Sequence, residues 1–357
     1  MGNNDLLLGI IINIINPKIG GLLIKGPKGS GKSTAVYSIP DILPDIKIIR
    51  GCKLNCDPDK PEYWCENCIK KYKNTNPEVV QKNIEVYTVP IGISEERLLG
   101  HVDIERLLNN KKYEFVPGLL SKANRQILYI DEVNLLPDYL TDEILDVLST
   151  GINKIERENF SFSHYSHFLL FGTMNPEEGE LRPQLLDRFP LSVNNKNISD
   201  KETRKKIIKR NIAYKDAPEK FISKYKKASK KLKNKIIKAK NNLKNIKIDD
   251  DMLDVIADLC SYFEVDGLRP DIYITQTAIT LSALENNKNV ESTHILKAAK
   301  FVLLHRTRKG GFLQPLNEKD INEYFKKNVK ETQNKAFFNI EKFTDNILGY
   351  SDIKKKV

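Results

Sequence analysis

The 357-residue chain carries 58 basic and 47 acidic residues, a net charge of +11, with 40% hydrophobic and 29% charged side chains. That composition describes a soluble globular protein with more sequence than one ordinary core uses, so two or three domains are expected. It argues against a membrane-spanning or secreted chain: the longest strongly apolar run, residues 6–15, is broken by Gly9 and Asn13 and lacks a basic flank and cleavage site. A buried helix in a cytosolic protein is the expectation there.

In chain order, residues 21–25 read as a short buried strand, 26–33 as a loop, 32–43 as a helix and 45–50 as a second strand. Residues 51–77 form a loop rich in Pro, Asp and Asn, and four of the five cysteines cluster there. Residues 85–89 are β-like, and 126–130 and 167–173 are apolar runs of the length of buried parallel strands. Strands alternating with helical stretches predict an open α/β sheet. Beyond Asp200 the β signal stops. Residues 220–247 hold twelve lysines and no acidic residue. Within them Phe221, Tyr225, Ala228, Leu232, Ile236, Ala239, Leu243 and Ile246 recur every three or four positions. The spacing predicts one helix of about 25 residues, roughly 37 Å long, with lysines on its solvated faces. A docking face for a partner protein or polyanion is the sharper reading of those lysines. Patterns at 251–263, 271–286 and 292–306 predict an all-helical second domain with Cys260 in its core. The tail after Pro315 is polar and lysine-rich.

Residues 26–33 read Gly-Pro-Lys-Gly-Ser-Gly-Lys-Ser between the first strand and the first helix, the context a phosphate-binding loop requires. Gly26, Pro27, Lys28, Gly29, Ser30, Gly31, Lys32, Ser33 and Thr34 are the expected nucleotide-binding set. The glycines let backbone N–H groups curl around one anion, Lys32 reaches the β- and γ-phosphates, and the Ser33 hydroxyl ligates Mg²⁺. The chain is expected to bind a nucleoside triphosphate.

About a hundred residues later, the strand ending at Ile130 is followed by Asp131 and Glu132. At the carboxyl end of such a strand, Asp131 suits the Mg²⁺ shell and Glu132 suits orientation of an attacking water. The next strand ends at Asn175, placed either to touch the γ-phosphate and that water or simply to cap the turn before Pro176. Arg188 closes a short helix and suits an arginine finger reaching a neighbouring subunit. A surface ion pair with Asp187 or Glu180 is the plainer alternative, and Arg182 is a second candidate cation. Arg269 opens a helix of the second domain and is a candidate to close over the nucleotide.

Cys52-x3-Cys56-x8-Cys65-x2-Cys68 has the pairing of a tetrahedral zinc knuckle, which would fold a segment with little apolar material of its own. An iron–sulfur cluster uses the same thiolates, and free or redox-regulated thiols are the third reading. A catalytic dithiol at Cys65-x2-Cys68 is not expected, because the pair does not open a helix after a strand.

The loop, Asp131-Glu132, Asn175 and the paired arginines resemble the AAA+ ATPases. Longer stretches resemble the ATPase subunit I of magnesium chelatase and its cobaltochelatase counterpart. These are residues 17–21, Leu-Leu-Gly-His-Val-Asp-Ile-Glu at 98–105, 115–124, 131–136, Asn-Pro-Glu-Glu-Gly-Glu-Leu-Arg-Pro at 175–183, and His305-Arg306-Thr307-Arg308. The resemblance spans about residues 10–310. It implies an α/β AAA+ P-loop NTPase, a parallel sheet flanked by helices, with an all-α C-terminal lid. The nucleotide-binding domain would be 1–195, a long basic linker helix 196–250, the lid 251–315 and a polar tail 316–357. It further implies that 98–118 is an insertion breaking the second helix and 152–168 a hairpin before the sensor strand, both projecting toward the centre of a hexameric ring. Arg188 would be the finger and Arg269 the lid sensor.

Family members use ATP and Mg²⁺ to drive a partner assembly that inserts Mg²⁺ or Co²⁺ into a tetrapyrrole. The expected partners are copies of itself, a D-type AAA+/von Willebrand-type subunit and a large porphyrin-binding subunit. The chain itself has no von Willebrand-type segment, and Met1-Gly2-Asn3 stands where relatives have Val-Gly-Gln. Two other functions are open: a MoxR-like remodeller that activates metalloenzymes, and a helicase-like translocase of the minichromosome-maintenance kind. The translocase needs basic hairpin tips, whereas Lys154 and Arg157 are matched by Glu156 and Glu158, and Lys111 and Lys112 stand beside Glu114. Nucleic acid is therefore not the expected partner.

Overall fold

Apolar side chains on every face make residues 4–15 a helix that only a protein interior stabilises. In the computed structural model, which describes residues 3–102, 115–157 and 160–329, the helix Asn4–Ile15 buries Leu6, Leu8, Ile10, Ile11, Ile12, Ile14 and Ile15. The chain divides into two compact units, one running to Lys32 and resuming at Asn175, the other Ser33–Met174.

In the first unit the strand Gly21–Lys25 pairs in parallel with Leu191–Asn194, Leu22 opposite Leu191 and Lys25 opposite Asn194. Leu22, Leu23 and Ile24 are fully buried, and the helix Asn4–Ile15 packs over both strands. The partner strand is not announced by the sequence: only four residues long, it directly follows Pro190. The helices Asp250–Tyr262, Arg269–Glu285 and Ser292–Leu303 build a second core from Ile256, Leu259, Ile274, Leu281, Ile295 and Val302, with Cys260 buried among them.

The lysine-rich period from Phe221 forms the helix of about 25 residues that its spacing predicts, but the linker expected as one long helix over 196–250 is broken. It forms two helices, Lys201–Asp216 and Pro218–Asn242. Pro218 supplies no N–H to continue the first helix but is well tolerated at the start of the second. Of the predicted apolar stripe, Ile236 and Ala239 within the second helix and Ile246 just beyond it are buried. The stripe therefore seats the helix at its C-terminal end.

In the second unit, Val86–Val89, Ile127–Ile130 and Leu169–Met174 are parallel, with Ile127–Ile130 in the middle and Ile127 opposite both Val86 and Leu169. All four residues of the middle strand are buried, which accounts for its unbroken apolar sequence. Ile46–Ile49 is a strand, as expected, but lies outside this parallel set. It pairs antiparallel with Val79–Lys82, Ile49 opposite Val79. The sequence conceals that partner because Val79–Lys82 is half solvated. The ribbon brackets the cysteine-bearing loop. The helix expected over 32–43 ends at Tyr37, and Pro40–Ile42 continues as a 3₁₀ turn. Among the described residues no helix is long and apolar enough to cross a membrane.

The end of the lid is fastened inside the first unit by the His305-Arg306 pair. His305 Nε2 donates to the carbonyl of Phe189 at 2.8 Å. The buried Arg306 guanidinium donates to the Asp187 carboxylate at 2.7 Å, to the Asp187 carbonyl and to the Phe189 carbonyl at 3.0 Å. Burial, reinforced by Arg306, pushes the His305 imidazole well below its ordinary value, so it is neutral. The unfolded chain takes up that proton near pH 6.5 and the folded chain does not, so stability falls as the pH drops below about 6.5. The slope from this one histidine is up to about 1.4 kcal/mol per pH unit. His305→Gln keeps an N–H donor without the titration. In urea denaturation from pH 7.5 to 5.5 it is expected to flatten the dependence by that amount, and an unchanged slope sinks the assignment.

Candidate active site

The strand Gly21–Lys25 delivers the chain into the glycine-rich loop. Gly29 and Gly31 take φ of +73° and +82°, and a Cβ on either would meet nothing within 4 Å. The loop thus has a backbone that side chains resist and open space in front of it. Gly26 is constrained differently: a Cβ there would lie 2.4 Å from the backbone oxygen of Asn195. Asn195 also donates from Nδ2 to Ser30 O at 3.0 Å and Ser30 Oγ at 2.9 Å, and its Oδ1 accepts from the Asn3 side chain. Lys32 Nζ donates to the carbonyls of Gly26 at 2.6 Å and Pro27 at 2.8 Å, and Lys28 pairs with Glu178. A flexible cation folded over a glycine cradle fits a polyphosphate.

The helix Lys32–Tyr37 carries Ser33 and Thr34 in its first turn. Within the Ser33–Met174 unit, Ser33 Oγ lies 3.0 Å from the Tyr129 hydroxyl. That hydroxyl donates to Asp131 Oδ1 at 2.7 Å, and Thr173 Oγ1 donates to the same oxygen at 2.7 Å. Tyr129 and Asp131 are two residues apart and so share a face of the strand. Burial pushes the Tyr129 phenol up, keeping it a neutral donor. Its ring is fixed edge-on by Tyr37, centroids 5.6 Å apart. Asp131 itself is exposed. A carboxylate with one oxygen held by two hydroxyls, beside a serine hydroxyl, is an oxygen donor set suited to Mg²⁺. Glu132 adopts the left-handed conformation at φ +56°, and its N–H donates to Thr173 Oγ1 at 3.2 Å.

Asn175 is buried, and its Oδ1 accepts from the Glu177 N–H at 3.3 Å. It therefore caps the turn Pro176–Glu178, the plainer of its two expected roles. Arg188 ends the helix Pro183–Arg188 and is half-buried, with the exposed Arg182 at the helix's N-cap. Asp187, one of the two expected ion-pair partners of Arg188, meets Arg306 with one oxygen, and its other oxygen lies 3.9 Å from Arg269 Nη1. Arg269 opens the helix Arg269–Glu285 with its side chain 57% exposed, and so remains accessible.

Both expected insertions are β ribbons at their described ends. Gly100–Val102 pairs antiparallel with Phe115–Pro117, and Ile152–Arg157 with Phe160–Tyr165. Residues 103–114 and 158–159, including Lys111, Lys112, Glu114 and Glu158, lie outside the described residues, as do Met1, Gly2 and the tail from 330. The ribbons are joined: Phe115 stacks on Phe162 at 4.0 Å, and Asn153 Nδ2 donates to Leu99 O at 2.8 Å. His164 Nδ1 donates to Tyr165 O, while its Nε2 accepts from Ser121 and Asn153. Burial lowers its pKa, consistent with a neutral ring.

The four clustered cysteines converge. Cys52, Cys56, Cys65 and Cys68 place their sulfurs within 4.8 Å of one another, and none is in a disulfide. Hydrogen bonds from Cys56 and Cys65 hold Cys52 far below its ordinary pKa. The Cys56 thiol is pushed up by its bond to Cys52, and the Cys68 thiol by burial.

Sequence reasoning did not single out Tyr129, Thr173, Asn195 or Arg306. Tyr129 carries a signal, a hydroxyl two residues before Asp131 on a strand otherwise wholly apolar. Arg306 lay within a stretch noted for its resemblance alone.

The AAA domain (dynein-related subfamily) family matches residues 75–189, and the AAA lid domain family matches 253–324. The chain is 41% identical to the magnesium-chelatase subunit ChlI homolog of Methanocaldococcus jannaschii over 93% of this chain and 92% of that one. It is 40% identical to the magnesium-chelatase subunit ChlI of Mesostigma viride over 87% and 86%. Among solved structures, a complex of subunits BchI and BchD of magnesium chelatase aligns with 37% identity and a TM-score of 0.51, covering 86% of this chain and 94% of that chain.

Proposed function

Because the chain belongs to the magnesium-chelatase subunit I family of AAA+ ATPases, we propose that it is the ATP-hydrolysing motor subunit of a tetrapyrrole metal chelatase. The observation that carries this is Asp131, held by Tyr129 and Thr173 beside Ser33, in a chain whose phosphate loop opens the same helix as Ser33. Lys32 and the loop amides bind the triphosphate, and Ser33 and Asp131 hold Mg²⁺. The metal ion, when bound, neutralises charge on the phosphate oxygens. Glu132, its backbone pinned by Thr173, orients the lytic water. Arg188 acts on the nucleotide of a neighbouring copy, and Arg269 reports from the lid.

The motor works as a ring of copies, in the cytosol, with a D-type subunit and a large porphyrin-binding subunit. The metal, Mg²⁺ or Co²⁺, is cargo inserted by that large partner. Neither the remodeller nor the translocase is favoured: the described relatives are chelatase subunits, and Lys154 is neutralised by Glu156 at 2.6 Å.

Lys32→Ala is expected to abolish nucleotide binding in a fluorescent-nucleotide titration. Glu132→Gln is expected to bind normally while losing about 10²–10⁴-fold in turnover, and retained hydrolysis would remove Glu132 from the water-orienting role. Arg188→Ala is expected to lose about 10³-fold or more in turnover. Mixing it with Glu132→Gln protein creates hybrid interfaces with both groups intact. Partial recovery of ATPase activity at intermediate ratios is expected, and none at any ratio rules out action between subunits.

A further inference from the structure

Beyond the ATPase reading, we propose that Cys52, Cys56, Cys65 and Cys68 together bind one structural zinc ion, which folds the loop and clamps it onto the turn at residues 122–125. The sulfurs are spaced for a single ion. A tetrahedral zinc with Zn–S bonds of about 2.3 Å separates its sulfurs by about 3.8 Å. Here all four lie within 4.8 Å of one another, and Cys52 and Cys65 stand 3.9 Å apart. Thiolates on different irons of a cluster stand farther apart than thiolates sharing one ion, so the spacing favours a mononuclear site. A closed four-thiolate tetrahedron is the preferred structural site of redox-inert zinc.

The chain is shaped to present those sulfurs. Gly51 and Asn55, at φ +75° and +50°, turn the backbone around Cys52, and Ile49 exchanges backbone bonds with Cys52 and Cys56. Cys65 then precedes the helix Glu66–Lys71, which carries Cys68 inward. The Cys65 N–H donates to Cys56 Sγ at 3.1 Å, the kind of bond that stabilises a metal-bound thiolate. The apolar support is slight: Ile49 and Leu54 are its buried aliphatics, with Trp64 and Tyr72 half-buried against them. Such a segment depends on metal–ligand bonds for its order.

The same loop is stitched to the turn before the central strand. Asn55 Nδ2 donates to the carbonyls of Lys122 and Asn124, both at 3.1 Å, and Asn124 Nδ2 donates back to Leu54 O at 2.6 Å. Arg125, at φ +61°, donates to Lys47 O and Asn55 O and pairs with Asp57 at 3.1 Å. Four thiolates and one Zn²⁺ leave two negative charges, and Arg125 is the adjoining cation. Two residues later the strand Ile127–Ile130 begins, and Asp131 follows it directly.

Elemental analysis of the full chain, purified without chelators, is expected to give one zinc per chain, no iron and no visible absorbance. A mercurial titration should release that zinc as four thiols react, and amide exchange at 122–125 should then rise. Cys56→Ser combined with Cys68→Ser should lose the metal. Zinc well below one per chain, iron at one per chain, or full zinc in the double variant overturns the site. Unchanged exchange at 122–125 on zinc release overturns the clamp. Should the double variant not fold, the wild-type stoichiometry and titration still decide. None of these readouts involves ATP, so they stand or fall separately from the motor.

Discussion

A carboxylate at the end of a strand serves a cation only if it points one way and keeps a free oxygen. Asp131 meets both conditions because the hydroxyls of Tyr129 and Thr173 hold the same oxygen, Oδ1. That arrangement depends on register. Gly172 is opposite Ile130, which brings Thr173 level with Asp131, and a one-residue slip of either strand would leave the two side chains on opposite faces. The burial of the whole Ile127–Ile130 strand between two parallel neighbours guards against such a slip. The core of this unit therefore sets the aim of one side chain that is itself in solvent.

The other unit solves a similar problem with charge. Arg188 lies on a six-residue helix too short to be stable alone. The residue before it, Asp187, takes a fully buried guanidinium from Arg306, and the following carbonyl, Phe189, takes a bond from His305. Removing a guanidinium from water is costly, and such a pair yields little net stability. It does fix position, and the helix is held from the C-terminal side of the chain, more than a hundred residues away.

The glycine-rich loop between a strand and a helix, the place of Asp131 and Glu132 at a strand end, the helical lid and the convergence of four cysteines were legible in the sequence. Each rests on local spacing or on an unbroken apolar run. Less was legible where the decisive partner is distant or the burial incomplete. Val79–Lys82 alternates too weakly to announce a strand, and Leu191–Asn194 is too short. The apolar period begins at Phe221, past Pro218, so it marks the second helix and carries no signal for the first or for the break between them. Asn175 was given a choice of two roles, and only its distance to Glu177 distinguishes the turn cap. Asn195 carries no local signal: its backbone oxygen stands against the absent side chain of Gly26, and its side chain bonds Ser30, 165 residues away.

The stacked rings of Phe115 and Phe162 and the bond from Asn153 to the Leu99 carbonyl have a mechanical consequence. Two ribbons that arise about fifty residues apart share one joint, sealed by a neutral histidine whose two ring nitrogens are both engaged. At their described ends the two ribbons thus behave as one coupled element rather than two independent ones, and a displacement of either loads the joint they share.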